Sequence, residues 1–182
     1  MCKKTLLIMG LIALIVAPVN AQSVSLGPQI GYHKSPDTDG NFMGGVAWRF
    51  KLTPMFGAEA SINYRQESYS DDALTVRSWP IMVTGLIYPV PIAYGAMGFG
   101  WYSTTFDYDQ NKFSFLEDET TQKVGWHFGG GVELPVGSNT KLTGDIRYVF
   151  LDYDFKEIPG TGALESNFFV ITVGVPVRSI IA

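Results

Sequence analysis

Eight charged side chains fall at alternating positions in four segments: Arg49 and Lys51, Glu59 and Arg65, Glu133, and Lys141, Asp145 and Arg147. Carboxylates set among guanidinium and ammonium groups have three chemical uses. They exchange protons as general acids and bases, they pass ions along a polar path, or they neutralise one another in a buried network. His127 lies among them in sequence and offers the base that a hydroxyl nucleophile needs. Transition-metal chemistry has little to work with, since the chain holds only His33, His127 and the single cysteine Cys2. No cofactor is expected either, because no glycine loop has the phosphate-cradling spacing of a strand–helix turn.

The residues between these charges decide which use applies. Lys141, Thr143, Asp145, Arg147 and Val149 alternate with Leu142, Gly144, Ile146, Tyr148 and Phe150. Successive side chains of a strand point to opposite faces, so one face is mostly polar and the other apolar. Just upstream, Gly125, His127, Gly129, Gly131 and Glu133 alternate with Val124, Trp126, Phe128, Val132 and Leu134, and Pro135–Asn139 supply a turn. A similar alternation predicts strands over Val24–His33, Phe42–Leu52, Met55–Glu67, Leu74–Tyr88, Ile92–Ser103 and Ser166–Val177. Ser78–Phe106 carries no charge, yet Pro80, Pro89, Pro91 and its glycines exclude a membrane helix there. Aromatic residues (Trp48, Tyr64, Trp101, Trp126, Tyr148 and Tyr153) recur on apolar faces or near strand ends, where interfacial girdles form.

The chain of 182 residues opens with Lys3-Lys4, an apolar run from Leu6 to Val19, and the small exit Asn20-Ala21. This is the pattern of a secretory signal peptide over 1–21, with cleavage expected between Ala21 and Gln22 and one domain over 22–182. Cys2 leaves with the signal, so burial or a membrane must hold the mature chain without disulfides. The predicted connections alternate between short (Thr53-Pro54, Pro89–Pro91, Pro135–Asn139) and long (35–41, 68–73, 104–121, 154–165). Together these features predict an all-β fold, an eight-stranded antiparallel up-and-down transmembrane β-barrel with short periplasmic turns and longer extracellular loops. A soluble lipocalin-like barrel is the structural alternative, but it would place apolar side chains, not Arg49, Glu59, Asp145 and Arg147, inside.

The long loops carry most of the acids, among them Asp37, Asp39, Asp71, Asp72, Asp107, Asp109, Glu117, Asp118 and Glu119, against Lys112 and Lys156. Divalent cations prefer oxygen ligands and are possible partners there. Asp37–Asn41 resembles the start of a calcium loop but lacks the downstream glutamate. Acidic loops and a net charge of −4 argue against nucleic acid.

The stretch GWHFGGGVELPVGSNTKLTGDIRYVFLDY, the strand PIMVTGLIY and AYGAMGFGWY after it resemble the small eight-stranded outer-membrane β-barrel family, the OmpA/OmpX-like and opacity-protein-like group. The likeness covers about residues 22–177. It departs at the C-terminus, where members usually end on an aromatic residue and this chain ends Ile180-Ile181-Ala182. The resemblance implies delivery by periplasmic chaperones and the barrel-assembly machinery, residence as a monomer in the outer membrane of a Gram-negative-type cell envelope, and contact with lipid and lipopolysaccharide. It also raises an enzymatic possibility, since a lipid A deacylase of this architecture uses a His-x-Ser pair. Gly129 stands where that serine belongs, so no enzyme is expected. An eight-stranded barrel has an interior just wide enough for its own side chains. The charged set Arg49, Lys51, Glu59, Arg65, Glu133, Lys141, Asp145 and Arg147 is therefore expected to form a lumen network, structural or gating. The expected role is envelope integrity or loop presentation, with a narrow porin-like channel or a carrier for small hydrophobic solutes as the alternative.

Overall fold

The computed structural model describes residues 23–35, 40–69, 74–108, 119–151 and 167–179. The strands are β1 (Ser23–Lys34), β2 (Asn41–Lys51), β3 (Phe56–Tyr69), β4 (Leu74–Val90), β5 (Ala93–Tyr108), β6 (Glu119–Pro135), β7 (Lys141–Phe150), β8 (Phe168–Gly174) and β9 (Val177–Ser179). From β1 to β8 each pairs antiparallel with its neighbours in chain order, and β8 pairs back onto β1. The sheet is thus a closed eight-stranded barrel with no helix among the described residues.

The short β9 is the end of the eighth strand, not a ninth stave. Gln29 faces Gly174 and Leu26 faces Val177 in one unbroken register with β1. The interruption falls at Val175-Pro176, opposite Gly27-Pro28, where two prolines lack an N–H to give the ladder. The backbone still compensates: Val175 N donates to Pro28 O at 3.1 Å and Lys141 N to Pro176 O at 3.0 Å. A side chain at Gly27 would collide with the backbone of Val175 and Pro176, so only glycine lets the strands approach here.

Barrel geometry follows from the pairing. Starting at Ser23, partners run Lys51, Gly57, Leu86, Ala96, Gly129, Arg147 and Val170, and return to β1 at His33. That is a displacement of ten residues around eight strands. With about 3.3 Å per residue and 4.7 Å between strands, the strands tilt about 40° from the axis.

Burial is inverted relative to a soluble protein. Along β1 the exposed residues are Leu26, Pro28, Ile30, Tyr32 and Lys34, while Ser25, Gln29 and His33 are buried. Ile30 is 68% exposed. On β8 and its continuation, Phe169, Ile171, Val173, Val175 and Val177 all point outward. The outer aromatics touch one another: Trp126 stacks on Phe150 at 4.1 Å, Tyr148 meets Phe169 at 4.5 Å, and Tyr64 meets Trp79 at 4.7 Å.

Several sequence expectations need correction. The strands are longer than their alternation suggested. The charge-free segment forms most of β4 and β5, β5 runs on to Tyr108, and β6 begins at Glu119. The expected loop 104–121 therefore shrinks, and Asp107 and Glu119 belong to strands. β3 reaches Tyr69, and the last strand breaks at Pro176 but resumes to Ser179. The turn at Thr53-Pro54 is a four-residue connection, Leu52 to Met55, in which Thr53 Oγ1 accepts from Phe56 N at 2.9 Å. The signal segment, the acids at 37, 39, 71, 72, 109, 117 and 118, and Tyr153 lie outside the described residues.

An outward apolar surface predicts a specific penalty. Ile146, 51% exposed, sits near the middle of β7, and Ile146→Arg should cost about 2–4 kcal/mol for folding into lipid vesicles. Urea titration of refolding checks it. A cost near zero would mean that this face meets water.

The barrel lumen as candidate functional site

Strand alternation sends Arg49, Glu59, Glu133, Asp145 and Arg147 inward from β2, β3, β6 and β7, and all five are buried. Arg49 is the hub of the cluster. Its Nε donates to Glu59 Oε2 at 2.6 Å, Nη1 to Glu133 Oε2 at 3.3 Å, and Nη2 to Tyr94 Oη at 2.8 Å and Asp145 Oδ2 at 3.4 Å. Arg147 Nη2 donates to Glu59 Oε1 at 2.8 Å, so Glu59 bridges the two guanidiniums. Arg147 Nε also lies 2.9 Å from Asp145 Oδ1, close enough for charge attraction but out of line for a hydrogen bond. Lys141 Nζ donates to Glu133 Oε1 at 2.5 Å from the short-turn end.

Two expected members stand apart. Lys51 places its ammonium 4.1 Å from the centre of the Tyr88 ring. Arg65 lies toward the opposite end, its guanidinium 4.2 Å from the ring centre of Phe168. Three residues that the sequence did not single out complete the network. Tyr94 Oη donates to Asp145 Oδ2 at 2.9 Å, Tyr88 Oη donates to Glu133 Oε2 at 3.2 Å, and Thr84 Oγ1 accepts from Arg147 Nη1 at 3.3 Å. Register would have found Thr84, which faces Glu59 across the β3–β4 ladder.

Charge does not fill the whole lumen. Above the network Gln29 donates to Asn63 at 2.7 Å. Beyond that comes an apolar layer of Met43, Tyr102, Val149, Leu151, Phe168 and Val170. His33 is fully buried here and meets Phe168 edge-on with ring centres 6.0 Å apart. It is the inward residue of β1 after Ser25, Gly27, Gln29 and Gly31, so strand parity overrides its position near a strand end.

His127 sits between the layers. Its Nε2 is 2.9 Å from Thr84 Oγ1, and its Nδ1 is buried with no hydrogen-bond partner among the described residues. A base beside a hydroxyl is the raw material of nucleophilic catalysis. Thr84 also takes a hydrogen bond from Arg147, however, and neither side chain reaches solvent. No three His, Cys, Asp or Glu side chains group at metal-binding spacing among the described residues.

Glu59 carries the greatest burden because it makes the shortest contact of each arginine with a carboxylate, 2.6 Å to Arg49 and 2.8 Å to Arg147, at 1% side-chain exposure. Glu59→Leu removes a carboxylate that two buried cations share, leaving Asp145 and Glu133 to balance both, and should destabilise the barrel by about 3–5 kcal/mol. Lys51→Ala removes one ring contact and should cost under about 1 kcal/mol. Urea unfolding of both variants in one vesicle system tests the ranking, and equal costs would contradict it.

The comparisons agree with this architecture. No curated protein matches the sequence. Among solved structures, Neisserial surface protein A superposes with a TM-score of 0.61 at 12% identity, over 88% of this chain and 99% of that one. OprG from Pseudomonas aeruginosa gives 0.56 at 12% identity, over 87% and 96%. Ail, the attachment invasion locus protein of Yersinia pestis, gives 0.53 at 16% identity, over 86% and 97%. Likeness at such identities speaks for the fold alone. The family profile described as outer membrane protein beta-barrel domain matches residues 6–176, nearly the whole chain, and the protein belongs to that family.

Proposed function

We propose that the protein is a non-enzymatic integral barrel of the outer membrane whose closed lumen makes it a structural element of the envelope and a platform for its acidic extracellular segments. One observation carries the reading: the interior is occupied along its length by its own side chains, a salt-bridged network followed by an apolar layer. Ions crossing it would have to leave water, pass paired charges and then pass Tyr102 and Phe168, which are 1% and 3% exposed. Desolvating an ion beside hydrocarbon costs many times thermal energy. Catalysis is disfavoured by the same closure, because no substrate reaches Thr84 or His127. The short turns face the periplasm and the other end faces outward, as in barrels of this type.

Planar-bilayer recording separates this reading from a channel. The native barrel should give no discrete steps, whereas Tyr102→Ala combined with Phe168→Ala should open flickering conductance. Steady unitary steps from the native protein would overturn the proposal in favour of a pore. The acidic segments also suit divalent cations that bridge to lipopolysaccharide phosphates. Calorimetry of the refolded protein should show saturable heat with Ca²⁺ or Mg²⁺, and a flat titration with both would remove that partner.

A further inference from the structure

At the long-loop end, four of the eight staves stop at the rim and four continue. β7 ends at Phe150, β8 begins at Phe168, β1 ends at Lys34 and β2 begins at Asn41. Strands β3 to β6 run on, paired as far as Tyr69 with Leu74, Leu74 with Tyr108, and Phe106 with Glu119. The ladder between β6 and β7 closes at Trp126 and Phe150, which stack among the outer aromatics. Beyond that rung, residues 119–125 have β5 on one side and no strand on the other among the described residues.

The backbone along that second side is open. Alternate residues of a strand turn their N–H and C=O to opposite neighbours. Glu133 N donates to Ile92 O at 2.8 Å, on the β5 side, and the register runs unbroken from there. Lys123 and Gly125 therefore face β5, while Gln122 and Val124 face the open side. Leu151, the next residue of the β7 chain, turns away, its N donating to Asn167 Oδ1 at 2.9 Å. Unpaired backbone is not tolerated in hydrocarbon, so this edge stands in water. Gln122 is exposed and Val124 is 64% exposed. The stretch has no proline, and its β-branched Thr120, Thr121 and Val124 favour an extended shape ready for pairing. Lys123 points inward, half-buried, and forms no ion pair among the described residues.

We propose that this edge of β6 pairs with an extended segment of another protein outside the cell, added as a further strand beside residues 119–125. Main-chain hydrogen bonds to Gln122 and Val124 supply the attachment. Side chains choose the partner, which is apolar beside Val124 on the outer face and carries a carboxylate beside Lys123 on the inner one. The β3 edge, residues 66–69, is shorter, and the Gln66 side chain there already accepts from Tyr64 Oη at 2.9 Å. A second copy does not fit. Strands tilted about 40° from the axis lean in opposite senses on the facing walls of two barrels, so their edges would cross at about 80°. The inference rests on the membrane-barrel reading above, which sets the end that faces outward.

The test uses the refolded full chain, ¹⁵N-labelled, in maltoside micelles. The probe is an acetylated heptapeptide that alternates valine with glutamate. In one control lysine replaces glutamate, and in another prolines interrupt the strand. The valine–glutamate peptide should give saturable amide shifts at Gln122 and Val124. At about ten times its dissociation constant it should slow hydrogen exchange of those two amides roughly tenfold. Both controls should bind roughly fivefold more weakly or worse. Gln122→Pro deletes an N–H that no strand uses, so the barrel should keep its mobility on unboiled SDS gels and lose binding roughly fivefold or more. Lys123→Glu should reverse the preference toward the lysine peptide. Amides of Gln122 and Val124 that already exchange slowly in the free barrel, or shifts unchanged in Gln122→Pro, would overturn the site. Slowing that grows with barrel concentration in the absence of peptide would overturn it in favour of a second copy. No response from a folded native barrel would end this inference and leave the barrel reading standing.

Discussion

In hydrocarbon every backbone N–H and C=O must find a partner within the protein, and this one constraint shapes the rest of the structure. Eight strands satisfy it by closing, β8 onto β1, with a displacement of ten residues around the ring. Closure at that strand number fixes a narrow interior. Whatever points inward is then buried, and whatever is buried and charged must be paired. The ion pairs of Arg49, Glu59, Asp145 and Arg147 are consequences of closure. The seam shows how strictly the constraint applies: where Pro28 and Pro176 remove donors, Val175 N and Lys141 N still reach the proline carbonyls.

The interior divides into two chemistries. Toward the short turns, Glu59 and Arg49 tie β2, β3, β6 and β7 into one charged unit. Toward the other end, Tyr102, Phe168 and Leu151 pack as an ordinary hydrophobic core that happens to lie inside a barrel. His127 and Thr84 mark the boundary. The charged part sets which strands face each other, since each arginine has partners on more than one stave. The apolar part excludes water. Neither part alone would make both a specific and a sealed interior.

Legibility in the sequence depended on whether a strand's two faces differ. β7 was readable because Lys141, Asp145 and Arg147 alternate with Leu142, Ile146 and Phe150, so the inward face announces itself. β4 was not, because Met82 to Tyr88 carries no charge on either face, and Thr84 and Tyr88 become network members only through register with β3 and contact with β6. The apolar layer was hidden for the same reason: Phe168 and Val170 look like their outward neighbours Phe169 and Ile171. His33 was readable by parity but lies at a strand end, where exposure is the usual outcome. Strand ends beyond Ser103 and before Val124 were missed because Thr and Gln runs extend the ladder without any hydrophobic signal.

The central claim is that the apolar face looks out into lipid while the charges look in. The tryptophans test it directly, since Trp48, Trp79 and Trp126 are exposed and Trp101 partly so, all on the outer face. Folded into vesicles whose acyl chains carry bromine, the protein should lose most of its tryptophan fluorescence, while a water-soluble quencher should have little effect. Fluorescence untouched by brominated chains, or quenched chiefly from the aqueous phase, would contradict the account.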